Sequence, residues 1–317
     1  MLAATPRAGA ERRRFQVPRN RCLLYVVSFV GFAVAVQAQQ APAPNPMRVL
    51  QITQEMVKPG KGAAHVNVEA GWPAAFAKAG SKDYYWGLVA MTGVSDALFI
   101  TPFPSLAALE KSGEWMEKAP GLQASLERLA DKDGDLLTGI RSMIATRMDD
   151  ASVGTVGDMS KVHGLFIRTS RVKIGHATDF MEYMKLVKDG YEKAGLDPHI
   201  GTYAVTAGVA VPTYLTFRGF HGIGEMDEWP AMGDKMRAAL TPEQRDRMDK
   251  LAESAFTARD GEIYMLNPKM SYVSPQAIAA DPSFWKANPA ALAANASKSE
   301  VRQAGAPKDE MKAGKKP

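Results

Sequence analysis

The chain has 317 residues, 46% of them hydrophobic and 23% charged, which excludes the fibrous and wholly disordered classes. That length suggests two domains, because single cores stop growing near about 250–300 residues. A single cysteine rules out an internal disulfide framework and any multi-cysteine zinc or iron–sulfur site.

The amino terminus reads as a secretory signal. Arg7, Arg12, Arg13, Arg14, Arg19 and Arg21 precede an apolar run of 15 residues from Cys22 to Val36. The run is short for a membrane span, which takes about 20 residues. It ends at Val36-Gln37-Ala38, a small-x-small cleavage site. Cleavage after Ala38 removes six of 39 basic and one of 34 acidic residues, leaving 33 of each and no cysteine. A neutral chain exported to the periplasm or medium offers no footprint for nucleic acid. It also keeps no segment for stable membrane insertion.

A Pro/Ala spacer (39–46) leads into the first of two similar stretches, 47–150 and 162–274, joined by a linker at 151–161. Leu50-x-Ile52 falls on Leu165-x-Ile167 at an offset of 115, as do Val57-Lys58-x-Gly60 on Val172-Lys173-x-Gly175 and Lys78-Ala79-Gly80 on Lys193-Ala194-Gly195. Further on, Leu129-Ala130 matches Leu251-Ala252, and Ser142-Met143-Ile144 matches Ile263-Tyr264-Met265. Such a period marks an internal repeat.

In chain order, each copy predicts the same elements. A strand (Val49 to Glu55; Leu165 to Thr169) leads through a glycine turn into a helix that stops at Ala-Gly, the pattern of a left-handed cap. Two strands follow (Tyr84 to Thr92 and Ala97 to Phe103; His199 to Ala207 and Thr213 to Phe220), then a second helical stretch and a closing strand (Arg141 to Thr146; Glu262 to Leu266). The order βαββαβ is that of the split βαβ, ferredoxin-like unit. From Pro275 the chain turns Ala/Pro/Lys-rich and reads as a largely disordered tail, with Phe284 and Trp285 docking on the folded part.

A ferredoxin-like unit doubled in one chain, with a Pro268-Lys269-Met270-Ser271-Tyr272 run after its last strand, resembles the dimeric α/β-barrel superfamily. Within it, the chain is most similar to NIPSNAP-type and antibiotic-biosynthesis-monooxygenase-like members. The resemblance implies an α+β protein whose two copies pack as an intrachain barrel, a monomer carrying its own pseudo-dimer. Members include haem-degrading oxygenases, chlorite-dismutase relatives and isomerases, so the fold leaves the activity open.

Alternation along the strands places Leu50, Ile52, Leu165 and Ile167 toward the helices. The opposite face, with Val49, Gln51, Thr53, Phe166 and Arg168, is then the barrel interior, which Arg218 also reaches. In the helix after the first strand the copies differ: Phe180, Met184, Val187 and Tyr191 form an apolar stripe where the first copy has His65, Glu69, Trp72 and Phe76. His65 and Glu69, with Trp86, Arg168 and Arg218, are therefore the candidate ligand-binding residues. The alternative is that Pro73 turns the helix so that Ala64 packs and His65 faces water.

The i, i+4 pairs His65/Glu69 and His221/Glu225 lack an evident third ligand, and Gly222 and Gly224 disfavour a helix at the second pair. No metal and no cofactor are therefore expected. Asp131-Lys132-Asp133-Gly134-Asp135 lacks the closing glutamate of a calcium loop and reads as a solvated turn. Nucleophile-elbow, phosphate-loop and dinucleotide fingerprints are absent. These features favour a small-molecule-binding protein. The rivals are a cofactor-free monooxygenase- or isomerase-like enzyme using His65 and Glu69 as acid and base, and a structural module with a filled barrel.

Overall fold

In a computed structural model, the described residues are 47–155 and 159–287. The signal, the spacer and the tail beyond 287 lie outside them. The elements run β1 (Val49–Val57), α1 (Gly62–Glu69), α2 (Gly71–Ala79), β2 (Trp86–Ala90), β3 (Asp96–Phe103), α3 (Leu106–Lys118), α4 (Leu122–Gly134) and β4 (Leu137–Arg147). There follow β5 (Gly164–Val172), α5 (Ala177–Lys193), β6 (Ile200–Ala207), β7 (Thr213–Phe220), α6 (Trp229–Ala238), α7 (Pro242–Ala255) and β8 (Phe256–Leu266).

All eight strands close into one antiparallel barrel in the order β1-β3-β2-β8-β5-β7-β6-β4. Within it β4-β1-β3-β2 and β8-β5-β7-β6 follow the same ferredoxin-like order, and the halves join where β2 meets β8 and β4 meets β6. Closure leaves no free sheet edge among the described strands. Leu50 lies opposite Ala145, and Leu165 opposite Tyr264. The closing strands thus correspond two positions away from the sequence match: Ala145, not Met143, stands where Tyr264 does.

The strand faces are the reverse of the sequence expectation. Every strand feeds a single buried cluster inside the barrel, from Leu50 and Ile52 of β1 through Leu165 and Ile167 of β5 to Tyr264 and Leu266 of β8. Arg168, Phe166 and Arg218 stand on the outer, helix-covered face: Phe166 packs edge-on to Trp229, and Arg218 lies 4.0 Å over that ring. The inversion has a physical cause. Helices cover one face and closure dries the other, so both faces carry apolar groups and hydrophobic alternation does not tell them apart.

Chain breakers set the helix boundaries. Gly80, at φ 74°, caps α2 as the Ala-Gly stop requires. The helix after β1 is split at Ala70, ahead of Gly71-Trp72-Pro73, into α1 and α2. Proline lacks an amide hydrogen and suits the first turn of a new helix. The second helical stretch is likewise divided, at Pro120-Gly121 in the first half and Thr241-Pro242 in the second.

After β8 the Pro268–Tyr272 run crosses back to the first half. Tyr85 and Tyr272 exchange backbone hydrogen bonds of 2.7 and 3.0 Å, and the Gly87 amide donates to Ser271 Oγ at 2.9 Å. A Cβ on Gly87 would stand 2.6 Å from the Met270 carbonyl oxygen, so this approach needs glycine. Ordered structure continues past residue 275 through α8 (Pro275–Ala280) and α9 (Pro282–Trp285). The Trp285 side chain is fully buried in the barrel cluster, and Phe284 stacks on His163 at 4.0 Å. Two aromatic groups bury enough surface to hold these turns.

Candidate functional site

The structure separates the sequence candidates into three places. Trp86 faces the barrel interior. His65 and Glu69 lie outside the barrel wall, between the first half's helices and its sheet. Arg168 and Arg218 are on the helix side of the second half.

The barrel interior opens at one end into a cavity of about 510 Å³. Leu50, Trp86, Ile100, Leu165, Tyr203 and Phe217 form its apolar wall, and Arg147, His199, His221 and Glu225 add polar groups. Arg147 Nε donates to Asp149 Oδ1 at 2.9 Å, and its guanidinium lies 5.9 Å from the Tyr203 ring centre. Tyr203 donates its hydroxyl to the Met47 carbonyl at 3.0 Å. His221 and Glu225, the second i, i+4 pair, sit 3.2 Å apart, bracing a 3-10 turn at Ile223–Glu228. Farther along the interior, Gln54 and the Tyr264 hydroxyl donate to the buried Asp96.

The second place is a buried ionisable cluster. From α1, one turn apart, come His65 and Glu69; Glu55 comes from the outer face of β1 and Asp133 from the last turn of α4. Their relative exposures are 1%, 3%, 8% and 3% respectively, so the reading in which Pro73 turns His65 to water does not hold. Ala64 is the exposed residue, because the break at Ala70 leaves α1 free to set its own rotation. His65 Nε2 lies 2.9 Å from Glu55 Oε2 and 3.5 Å from Asp133 Oδ1. One donor atom from each of the four residues lies within 4.8 Å of all the others.

Crowding three carboxylates in a dry site makes ionisation costly. Burial, with Glu55 and Asp133 adding repulsion, pushes the Glu69 carboxyl up to about 9. Asp133 is raised to about 6, chiefly by burial, then by Glu55, with His65 pulling the other way. The Tyr85 hydroxyl is held well above its ordinary value by burial and by Glu69 and Glu55. Glu69 Oε1, Asp133 Oδ1, Trp72 Nε1 and the Tyr85 hydroxyl are buried without a hydrogen-bond partner. Unsatisfied groups at this density are unusual in a native interior.

The third and fourth donors are what the metal-free expectation lacked. In sequence Glu55 ends a predicted strand and Asp133 sits in an expected solvated turn, yet α4 runs to Gly134 and carries Asp133 inward. Spacing three or four apart shows only partners on one helix. Glu55 and Asp133 arrive through sheet pairing and helix packing, across 78 residues of chain. The sequence signal that survives is the substitution of apolar repeat positions by ionisable ones. Arg168 and Arg218 touch neither site: Arg168 is exposed, and Arg218 is held by Trp229 and by Met232 Sδ at 3.2 Å rather than by a carboxylate.

No family model matches the chain, and no curated protein matches it. Among solved structures, an anthrone oxidase-like protein is similar over 73% of this chain and 96% of its own, at 10% identity and a TM-score of 0.46. A mutant chlorite dismutase from Candidatus Nitrospira defluvii, crystallised with cyanide, covers 71% of this chain and 93% of its own, at 10% identity and a TM-score of 0.43. A monooxygenase-like protein from Lactobacillus acidophilus NCFM covers 69% and 93%, at 8% identity and a TM-score of 0.44.

Proposed function

We propose that this protein binds a small apolar molecule carrying an acidic group in the barrel cavity. The carrying observation is the cavity itself, about 510 Å³. An eight-stranded barrel is just wide enough either to fill with side chains or to hold one small ligand, and ligand pockets run from about 300 to 1,000 Å³. Apolar walls supply the affinity, and the Arg147 guanidinium suits a carboxylate or sulfonate. The acid–base reading of His65 and Glu69 has less support, since neither lines this cavity. We also read the halves as two copies of one unit of the NIPSNAP or antibiotic-biosynthesis-monooxygenase kind, and the amino terminus as an export signal cleaved after Ala38. The shared strand order and the sequence matches support the first reading, the Arg-rich and apolar segments the second.

Anilinonaphthalene sulfonate, an aromatic anion that fluoresces in dry pockets, tests the proposal. Saturable binding of one dye per chain is expected, abolished in Leu165→Trp, which fills the cavity, and weakened about tenfold in Arg147→Met, roughly the ~1.4 kcal/mol of one charge-assisted contact. Unsaturable binding, or equal binding by the wild type and Leu165→Trp, would refute it.

A further inference from the structure

We propose that Glu55, His65, Glu69 and Asp133 form a structural site for one divalent first-row transition cation, of the Mn²⁺, Fe²⁺ or Zn²⁺ kind, clamping β1, α1 and α4 together. Four donors from three elements already converge, each within 4.8 Å of the others. Donors around such an ion, with bonds of about 2.1 Å, stand roughly 3.4 Å apart in tetrahedral geometry. Side-chain adjustments of under about 1 Å therefore close the set, and the His65–Glu55 contact at 2.9 Å is already inside that span.

The orphaned atoms are independent support. Glu69 Oε1 is buried without a hydrogen-bond partner, and Asp133 Oδ1, 3.5 Å from His65 Nε2, also makes no hydrogen bond; both residues are 3% exposed. A carboxylate oxygen in a dry interior is expensive to leave unpaired, and a cation at the centre of the four donors satisfies both. Charge argues the same way. Binding releases the Glu69 proton, and a doubly charged ion then offsets most of the charge of three ionised carboxylates facing one imidazole in a space where Coulomb interactions are strong.

Donor chemistry narrows the ion. Three carboxylates select hard to borderline cations, the imidazole favours a transition metal over Mg²⁺ or Ca²⁺, and the absence of thiolate or thioether in the set disfavours Cu⁺. Four protein ligands and burial are marks of a structural centre rather than a catalytic one, which keeps a position open. The positions that match in sequence in the second half are Ser170, Phe180, Met184 and Ala255, so one site per chain is expected, not two.

The test is metal retention by the purified protein. The full protein is stripped with chelator, loaded with Mn²⁺, Zn²⁺ or Mg²⁺, desalted and analysed for metal. Close to one equivalent of Mn²⁺ or Zn²⁺ per chain should remain, with a thermal midpoint several degrees above the stripped form, while Mg²⁺ gives neither. Nitrogen coupling from a single imidazole should appear in the electron paramagnetic spectrum of the Mn²⁺ form. Glu69→Gln, close in shape, should lower retention at least tenfold; if that variant fails to fold, Asp133→Asn takes its place. Stripped wild-type protein that folds but retains neither Mn²⁺ nor Zn²⁺ would overturn the site, as would equal retention by wild type and folded variants, which would place the ion elsewhere.

Discussion

The two halves share a strand order but fill the space between helices and sheet with opposite chemistry. In the second half Phe180 stacks on Tyr214 at 3.8 Å, with Met184, Val172 and Phe256 around the pair. In the first, the positions equivalent to Phe180 and Met184 are His65 and Glu69, Ser170 becomes Glu55, and Ala255 becomes Asp133. Four coordinated differences turn a dry hydrophobic joint into a buried ionic one. A second contrast runs the other way, because the second half's outer face carries Arg168 and Arg218 where the first has Thr53 and Thr101. Ferredoxin-like packing thus needs a filled space but not an apolar one: buried charge is tolerated where partners or an ion compensate it.

The largest effect should come from breaking this asymmetry with one charge. Met184→Glu puts into the second half the carboxylate that the first carries at the same place, without the partners. Met184 is 6% exposed among aromatic and aliphatic groups. An uncompensated buried charge costs about 3–5 kcal/mol, a large part of a domain's stability. Urea denaturation at pH 7.5 should show that loss. It should shrink at pH 4.5, where the glutamate can protonate. An equal loss at both pH values would mean that shape, not charge, governs this joint.

The next effect sharpens the comparison through protons. In metal-stripped protein the folded chain keeps the Glu69 proton up to about 9, whereas the unfolded chain releases it near 4.5. The folded state therefore binds more protons over that range, and stability falls as pH rises through it, approaching about 1.4 kcal/mol per unit. Asp133 adds the same sign up to about 6. Glu69→Gln should flatten the profile between about 6 and 9 and stabilise the stripped protein there. His65, Glu55 and Asp133 still face the amide in that variant, so a profile unchanged from wild type would assign the pH dependence to them.

Elements of both halves were legible in sequence because glycine and proline punctuate them at matched places, as at Gly80 and Gly195. The interior of the barrel was not. Leu50-x-Ile52 shows which residues share a face, but with both faces dry nothing local says which meets the helices. Sequence also showed that His65 and Glu69 break an apolar stripe. It did not show Glu55 and Asp133 as their neighbours, since strand register and the rotation of α4 bring them there. Trp86 and His65 stand in one candidate set, yet the barrel wall lies between them.

The smallest effects concern the two arginines of the second half, and they set a scale for the first. The exposed Arg168 has its guanidinium 5.4 Å from the Phe166 ring centre, and it pairs with no carboxylate among the described residues. Surface changes away from special features stay within about 0.5 kcal/mol, so Arg168→Ala should shift the denaturation midpoint barely at all. Arg218 lies 4.0 Å over Trp229 and covers part of that ring. A cation over an aromatic face is worth about 0.5–2 kcal/mol, more as it is desolvated, so Arg218→Ala should cost about 1 kcal/mol. Trp229→Ala in the same background should then lose less than it does alone, the coupling a double-mutant cycle reads. Additive losses would show that arginine and indole are merely adjacent. The cationic face of the second half would then contribute nothing comparable to the carboxylates of the first.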